Sequence, residues 1–175
     1  MRSIFLFIAS SLDGYIARPS GEVDWLFTDQ DYGYSDFLAE VDTVLMGRKT
    51  YEQVLTFGEF PYQEKQCYVF SKNADFDASP YAKTVRSDVK DFVKDLRQSE
   101  GKNIWLVGGA DLIRPFLVHQ LLDELILFIH PILLGSGIPL FREEFPSQAL
   151  KLIGHQSYDS GLLRIVYRMA NQPAD

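Results

Sequence analysis

Three short segments of the sequence carry residues suited to holding phosphate groups. They are Gly47-Arg48-Lys49-Thr50, Ser71-Lys72 and Gly108-Gly109-Ala110-Asp111. Their groups are those that bind phosphate: cationic side chains, hydroxyls, and glycines that let a ligand approach bare backbone N–H groups. A phosphate or pyrophosphate ligand is therefore the chemistry that these residue types favour.

Each segment also has a simpler explanation when it is taken alone. Arg48 and Lys49 suit a solvated surface, Ser71-Lys72 suits a strand end, and Gly108-Gly109 suits a tight turn. Asp111 is an alternative cap for the helix that follows it. The three segments together favour a dinucleotide ligand, although Gly108-Gly109 lacks the G-x-G-x-x-G fingerprint of a Rossmann domain.

Each segment directly follows an apolar run that predicts a buried strand. The predicted strands cover Ile4 to Ala9, Thr43 to Met46, Tyr68 to Phe70, Asn103 to Val107 and Leu125 to Ile129. Two further runs, Leu150 to Tyr158 and Leu162 to Met169, predict a hairpin. Because ligands bind at the carboxyl ends of parallel strands, we expect the three segments to meet at one edge of the sheet.

Helices are predicted between the strands. Tyr34 to Val41 and Asp88 to Ser99 show amphipathic spacing. Thr50 with Gln53 matches a capping box, which predicts that a helix opens at Thr50. Another helix is predicted over Asp111 to Leu122, with its proline near the first turn. The alternation predicts an α/β sandwich with a mostly parallel central sheet and an antiparallel C-terminal hairpin at its edge.

Composition and charge exclude several classes of protein. Hydrophobic residues make up 46% of the chain, which is enough for a packed core. The 17 basic and 24 acidic residues give a net charge of −7, which disfavours nucleic acid and anionic membrane as partners. No apolar stretch approaches the roughly 20 residues of a membrane helix. No linker or repeat interrupts the sequence, so we expect one domain over residues 1–175.

Cysteine and histidine are too sparse for a structural metal site. Cys67 is the single cysteine, which fits a protein of the reducing cytoplasm. His119, His130 and His155 show no metal-ligand spacing, so each is interpreted as a structural histidine. We therefore predict no metal.

Motifs in three parts of the chain resemble those of dihydrofolate reductases and of the riboflavin-biosynthesis reductase domain. They are Ser11-Leu12-Asp13-Gly14-Tyr15-Ile16-Ala17, Val44-Leu45-Met46-Gly47-Arg48-Lys49-Thr50-Tyr51 and Leu106-Val107-Gly108-Gly109-Ala110-Asp111-Leu112. Asp123-Glu124-Leu125 and Pro131-Ile132-Leu133-Leu134-Gly135-Ser136-Gly137 resemble the riboflavin-type reductase in particular. The resemblance implies a single dihydrofolate reductase-like domain, a three-layer sandwich in stand-alone form.

The resemblance also implies an NADPH site. Gly47, Arg48, Lys49 and Thr50, with Ser71 and Lys72, would surround the ribose phosphates of the adenosine. Gly108, Gly109, Ala110, Asp111 and Leu112 would hold the pyrophosphate, with a cis peptide between the two glycines. Ala9 would face the nicotinamide, and Gly14 and Ile16 would border the cleft.

The implied reaction is hydride transfer from NADPH to a pyrimidine- or pterin-like heterocycle, as in 5-amino-6-(5-phosphoribosylamino)uracil reductase. Trp25 and Phe37 would bind the flat substrate, with core packing as the alternative. Asp13 and Asp31 are the candidate acids, and a turn is the alternative for Asp13-Gly14. Val107 occupies the position where riboflavin-type reductases usually have Glu.

Two other functions and one assembly stay open at this point. The chain is alternatively a dihydrofolate reductase, or a non-catalytic NADPH-binding protein that kept the cleft and lost turnover. The tail hairpin and the stretch from Pro131 to Leu134 are candidate surfaces for a homodimer, because related reductases are often dimers.

Overall fold

The computed structural model describes residues 1–170. Four helices lie in this range: α1 (Tyr34–Glu40), α2 (Arg48–Leu55), α3 (Val89–Gln98) and α4 (Ala110–Val118). The strands are β1 (Ile4–Ser11), β2 (Tyr15–Ala17), β3 (Val41–Gly47), β4 (Gln66–Phe70), β5 (Lys83–Val85), β6 (Asn103–Gly108), β7 (Glu124–His130), β8 (Ile138–Pro139), β9 (Leu150–Ser157) and β10 (Leu163–Met169).

Eight of these strands form one sheet, in the order β5-β4-β3-β6-β1-β7-β10-β9. The first six run parallel, and the β9–β10 hairpin continues the sheet in antiparallel pairing. The predicted parallel sheet with an antiparallel hairpin edge is thus confirmed. The sequence did not predict β2, β5 and β8, because strands of two or three residues leave almost no hydrophobic period to detect. β2 and β8 pair in a separate small sheet.

Helices cover both faces of the large sheet, which gives the three predicted layers. α1 and α2 bury Phe37, Tyr51 and Val54 in the hydrophobic cluster on one face. α3 and α4 contribute to the cluster on the other face, where Val93 and Phe116 are fully buried. The central strands are therefore apolar on both sides, as a parallel sheet between two helical layers requires.

Helix starts follow local capping chemistry at α3 but not at α2. The Asp88 carboxylate accepts the backbone N–H groups of Lys90 at 2.8 Å and Asp91 at 3.4 Å, so it caps α3 where the sequence predicts that helix. The capping box predicted at Thr50 is wrong, because α2 already begins at Arg48 and Thr50 is its third residue. Gln53 is used elsewhere: its Nε2 donates to Gly21 O at 2.7 Å.

α4 starts earlier and ends earlier than predicted. It begins at Ala110, so Pro115 is its sixth residue and not a residue of its first turn. Pro115 has no N–H to donate to the carbonyl one turn earlier, and the helix stops three residues later at Val118. The predicted extension to Leu122 is wrong for this reason.

None of the helices within residues 1–170 is long and apolar enough to cross a membrane.

Candidate functional site

The three phosphate-suited segments lie side by side. β4, β3 and β6 are neighbours in the sheet, with Gly47 opposite Phe70 and Met46 opposite Gly108. All three strands run the same way, so the residues after each of them emerge at one edge. We call the carboxyl ends of β3, β4 and β6, together with the first turns of α2 and α4, the glycine edge.

The segments of the glycine edge approach one another closely at their glycines. A Cβ atom on Gly47 would lie 3.8 Å from Gly108 O and 3.9 Å from Gly109 N. A Cβ atom on Gly109 would lie 3.3 Å from Thr50 Oγ1, closer than most real Cβ contacts. Thr50 thus reaches the Gly108-Gly109 turn from the neighbouring helix, and the peptide between the two glycines is cis, as the resemblance implies.

Both helices of the glycine edge begin without a side-chain cap. Gly47 precedes α2 and Gly109 precedes α4, and neither start has a side-chain cap hydrogen bond. The first N–H groups of a helix have no partner inside the helix and carry its positive dipole end, so an anion stabilises them. Asp111 is not the cap: it is the second residue of α4, and its carboxylate pairs with Arg142 at 3.0 Å.

Cationic groups follow the strands on the outer side of this edge. Arg48 is half-exposed and pairs with Glu52 one turn along α2 at 2.9 Å. Ser71 is buried after β4, where its hydroxyl accepts the N–H of Asn73 at 3.2 Å, and Lys72 beside it is exposed.

Arg86 is a further cation that sequence reasoning missed. It follows β5, the next strand outward, and it donates to Ala74 O at 3.1 Å and Phe76 O at 2.6 Å. The signal that would have found it is its place directly after a strand, but β5 is too short to be recognised from the sequence.

Asp13 ties two of the sequence motifs together. Its carboxylate accepts the Ser11 hydroxyl at 2.6 Å and the backbone N–H groups of Leu134 at 3.1 Å and Gly135 at 2.8 Å. The Ser11 hydroxyl and these two N–H groups lower the pKa of Asp13. Its contacts favour anchoring of the Leu134 loop to the turn after β1, because an ionised carboxylate has no proton to donate.

Asp31 is similarly engaged before α1. It accepts the Ser35 hydroxyl at 2.8 Å and the Ser35 backbone N–H at 3.2 Å. The Ser35 hydroxyl and N–H lower the pKa of Asp31, as do the N–H groups of Gly33 and Tyr34. The carboxylate therefore serves the start of α1, and its contacts do not single it out as an acid.

Trp25 lies against the carboxyl end of β7. Its indole ring meets the His130 ring edge to face at 5.1 Å, and the Phe27 ring lies 5.0 Å from the same imidazole. Trp25 is 7% exposed, and its Nε1 has no hydrogen-bond partner among residues 1–170. His130 stands opposite Ser11 of β1 in the sheet. We call the carboxyl ends of β1 and β7, with the Trp25–Phe27 segment, the aromatic edge.

His130 belongs to the aromatic edge, although the sequence analysis interpreted it only as a structural histidine. Its Nε2 accepts the backbone N–H of Phe27 at 3.2 Å, across 103 positions of chain. No local spacing could reveal that contact, because the two residues meet only when the segment before α1 folds back over the end of β7.

The remaining predicted site residues are divided between the edges and the core. Ala9 is half-buried one strand from β6 and faces the α1 layer, whereas Ile16 packs on the opposite face of the sheet. Gly14 has φ +85°, which glycine adopts without strain. Leu112 is a buried residue of α4.

Phe37 is a core residue in this structure. Its ring stacks on Phe7 at 4.3 Å and meets the Trp105 ring edge to face at 5.4 Å. It is 6% exposed. Its contacts therefore match the core-packing alternative, and a substrate contact for Phe37 stays a prediction.

No three His, Cys, Asp or Glu side chains gather within residues 1–170 in a way that could hold a metal ion.

Comparison with known proteins places these features in a family context. A family model described as the RibD C-terminal domain matches residues 2–164. The chain is 42% identical over 161 residues to the uncharacterized protein YwjB of Bacillus subtilis (strain 168), covering 90% of this chain and 92% of YwjB.

Two solved structures match this chain over nearly their whole length. A protein of Shewanella sp. PV-4 described as a candidate riboflavin biosynthesis protein superposes with a TM-score of 0.86 and 32% identity, covering 97% of this chain and 99% of that one. Dihydrofolate reductase from Enterococcus faecalis, complexed with NADP(H), superposes with a TM-score of 0.73 and 16% identity, covering 97% of each chain. At that identity the likeness shows the dihydrofolate reductase-like fold alone.

Proposed function

The chain belongs to the RibD C-terminal domain family, and on this basis we propose that it is an NADPH-dependent reductase of a pyrimidine- or pterin-like heterocycle. The family and the structural neighbours are reductase-like, which supports an oxidoreductase.

The observation that carries the proposal is the meeting of two uncapped helix starts at the glycine edge. The first turns of α2 and α4 have no side-chain cap hydrogen bond, and the Thr50 hydroxyl stands 3.3 Å from where a Cβ on Gly109 would be. A pyrophosphate accepts hydrogen bonds from such groups and stabilises the dipoles of both helices. The residues present therefore fit a dinucleotide.

The cations beyond α2 favour NADPH over NADH. In the proposed site Gly108 to Leu112 hold the pyrophosphate, while Arg48, Lys49, Ser71 and Lys72 surround the 2′-phosphate of the adenosine ribose. A guanidinium or ammonium group binds a phosphate dianion more strongly than it binds a ribose hydroxyl. Arg48 already pairs with Glu52, so it exchanges one anionic partner for another when the phosphate arrives.

The aromatic edge supports a flat, weakly polar substrate. NADPH supplies the hydride when it is bound. Ala9 and Val107 are small or apolar at the ends of neighbouring strands β1 and β6, and both face the α1 layer. Trp25 adds a large ring against His130 at the end of β7. Such a surface orients a heterocycle by stacking and by excluding water.

In the proposed reaction neither Asp13 nor Asp31 delivers the proton. The lowered pKa values of Asp13 and Asp31 keep both carboxyl groups ionised at neutral pH. Val107 provides no acid at the end of β6. We therefore propose that the proton comes from solvent that reaches the bound heterocycle.

Steady-state consumption of NADPH tests the proposal. Purified protein is offered pyrimidines, pterins including dihydrofolate, and small carbonyl compounds, each with NADPH and with NADH. We expect turnover with a pyrimidine or pterin, at least about tenfold faster with NADPH, and a Gly109→Val variant as the inactive control. Binding of NADPH without consumption for any compound would instead support the non-catalytic alternative, and turnover of dihydrofolate alone would support the folate alternative.

We also propose that two copies of the chain pair through β9. This strand is the open edge of the sheet, eight residues long, and exposes Leu150, Leu152 and Ile153. An unpaired edge with apolar side chains is a template for pairing with another strand, and an antiparallel copy of itself closes it with twofold symmetry. Light scattering should give twice the mass of the chain, and Leu152→Lys should give one chain's mass. A wild-type monomer at all concentrations would contradict this assembly.

A further inference from the structure

The contacts of His130 with Phe27 and Phe128 are satisfied by one form of its ring. Nε2 accepts the Phe27 N–H at 3.2 Å, and Nδ1 lies 3.3 Å from Phe128 O. Because Nε2 accepts, the proton of the neutral ring sits on Nδ1 and is directed to a carbonyl oxygen. A second proton, on Nε2, would point at the Phe27 N–H and break that hydrogen bond.

The surroundings of His130 also oppose the charged form. The residue is 3% exposed, and this burial lowers the pKa of His130, while hydrogen bonds to the backbone of Phe128 and Ser10 act in the opposite direction. Removing an imidazolium from water without a carboxylate partner is unfavourable.

The neighbouring elements bring no compensating charge. β1 places Ser11 opposite His130, and the Ser11 hydroxyl is used by Asp13. The covering segment contributes Trp25 and Phe27, and Asp24 beside them is paired with Arg18. β10, on the other side of β7, places Leu163 opposite Ile129. No salt bridge involves His130 within the described part of the chain.

The segment that His130 contacts is fixed at two points. Gln53 of α2 donates to Gly21 O, and the Phe27 N–H donates to His130. The first contact joins the segment to the helix that opens the glycine edge, and the second joins it to the aromatic edge. Between these points Trp25 is held with its indole N–H buried and unpartnered, a position that its own hydrogen bonding does not explain.

We propose that His130 is a positioning residue whose neutral ring latches the Trp25–Phe27 segment over the end of β7, so that protonation releases Trp25 from the cleft. The inference rests on the proposed function for the identity of the cleft, but the latch itself is a property of the free protein. After release, Trp25 no longer contacts the bound heterocycle, whereas the conformation of the glycine edge is unchanged. Binding of the heterocycle therefore weakens at acid pH more than binding of NADPH does.

The sign of the pH dependence follows from the two states of the segment. In the closed state the ring resists protonation, whereas in the open state it takes up a proton near its ordinary pKa of about 6.5. Opening therefore binds a proton below that pH, and the closed state loses up to about a factor of ten in population ratio per pH unit. Above that pH the ring is neutral in both states and the latch is independent of pH.

Amide hydrogen exchange at Phe27 tests the latch without any ligand. In the wild-type protein the protection factor of the Phe27 N–H should be constant above about pH 7 and fall by up to about tenfold per unit below about pH 6.5. His130→Ala should lower protection at Phe27 at least about tenfold and remove the pH dependence. His130→Gln, whose amide oxygen replaces the Nε2 acceptor, should restore protection without restoring the pH dependence. His155→Gln, on the exposed strand β9, is the matched control and should change neither.

The ring nitrogens give an independent signature. The ¹⁵N shifts of His130 should report a neutral ring protonated at Nδ1 at pH 7. A charged ring at that pH, or Phe27 protection that does not respond to pH or to His130→Ala, would overturn the latch. If His130→Ala does not fold, the wild-type pH series and His130→Gln still decide the question.

Calorimetry with NADPH separates the latch from the proposed function. We expect the NADPH Kd of His130→Gln to stay within about twofold of wild type, while KM for the heterocycle loses its rise at acid pH. Absence of NADPH binding in the wild-type protein would overturn the proposed function and leave the Phe27 result standing. Normal NADPH binding with pH-independent Phe27 protection would overturn the latch alone.

Discussion

The glycine edge and the aromatic edge lie at the same side of one sheet, yet they are built from different groups. The glycine edge consists of backbone N–H groups, short hydroxyls and two glycine turns that approach within van der Waals distance. The aromatic edge consists of large rings, Trp25, Phe27 and His130, brought from the segment before α1 and from β7.

The difference shows what each edge is able to recognise. Backbone N–H groups are the same whichever side chains the residues carry. The glycine edge therefore suits a ligand group that is always the same, such as a pyrophosphate. Aromatic rings contact a ligand through their faces and edges, so the aromatic edge suits a ligand whose shape is selected by packing. We infer that one edge recognises the cofactor through the backbone and that the other selects the substrate through side chains.

The strongest way to break this comparison is to fill the glycine edge. Gly109 has φ −78° and ψ −165°, a conformation that valine also adopts, so Gly109→Val should fold. Its Cβ would lie 3.3 Å from Thr50 Oγ1, and the branched side chain would occupy the turn. We expect NADPH affinity to fall at least about 100-fold, or about 2.7 kcal/mol. Calorimetry measures the Kd.

Gly154→Val is the control for this substitution. A Cβ on Gly154 makes an ordinary contact with Val166 at 3.8 Å, far from the glycine edge on β9. It should leave the NADPH Kd unchanged. An NADPH Kd of Gly109→Val within about threefold of wild type would show that the turn does not hold the pyrophosphate.

The next effect concerns the 2′-phosphate. Arg48→Ala should weaken NADPH by about 10- to 30-fold and NADH by less than about threefold, because only NADPH loses a charge-assisted contact. Arg168→Ala is matched to it: Arg168 pairs with Glu124 at 3.0 Å and is similarly half-exposed, but it lies on β10. Equal loss for both cofactors would remove Arg48 from the phosphate site.

Asp13 sharpens the comparison because its carboxylate has two alternative roles, anchoring of the Leu134 loop and proton donation. Asp13→Asn should lower the Tm while NADPH affinity stays within about threefold, and turnover should persist. The pKa of Asp13 is lowered in the folded protein, so its stabilising effect is present above its ordinary value of 3.8 and is lost as pH falls through the lower folded value.

Thermal unfolding from pH 2 to 7 measures this contribution. The difference in Tm between the wild-type protein and Asp13→Asn should disappear at the acid end of this range. Asp95→Asn, at an exposed position of α3, serves as the control. Complete loss of turnover in a folded Asp13→Asn variant would assign proton donation to Asp13.

The smallest expected effect comes from the partner of Arg48. Glu52→Gln frees the guanidinium from its half-exposed ion pair, and such pairs are worth about 0–1 kcal/mol. NADPH should bind about two- to threefold more tightly, with NADH unchanged. Weaker NADPH binding in this variant would mean that Glu52 holds Arg48 in its binding orientation instead of competing for it.

The sequence predicted the glycine edge better than the aromatic edge, for a physical reason. Gly47 and Gly108 end the apolar strands β3 and β6, and the parallel sheet brings the ends of such strands together whatever lies between them. Thr50 was misread because a hydroxyl three residues before Gln53 matches a capping box, whereas tertiary packing starts α2 two residues earlier.

The aromatic edge was harder to predict because its contacts cross long stretches of chain. Trp25 was anticipated from the resemblance, but His130 was interpreted as structural, since its partner Phe27 is distant in sequence. Phe37 was predicted to contact the substrate because it is an aromatic residue on the short helix α1. In the structure its ring packs in the core against Phe7. The hydrophobic pattern predicts which helix or strand carries an aromatic ring. It does not predict whether that ring packs in the core or lies at the end of the sheet.

A calorimetric titration of the wild-type protein with NADPH and with NADH tests the central claim most directly. The account predicts that NADPH binds at one site per chain and at least about tenfold more tightly than NADH. Equal affinity for the two cofactors, or binding of neither, would contradict the assignment of the glycine edge to NADPH.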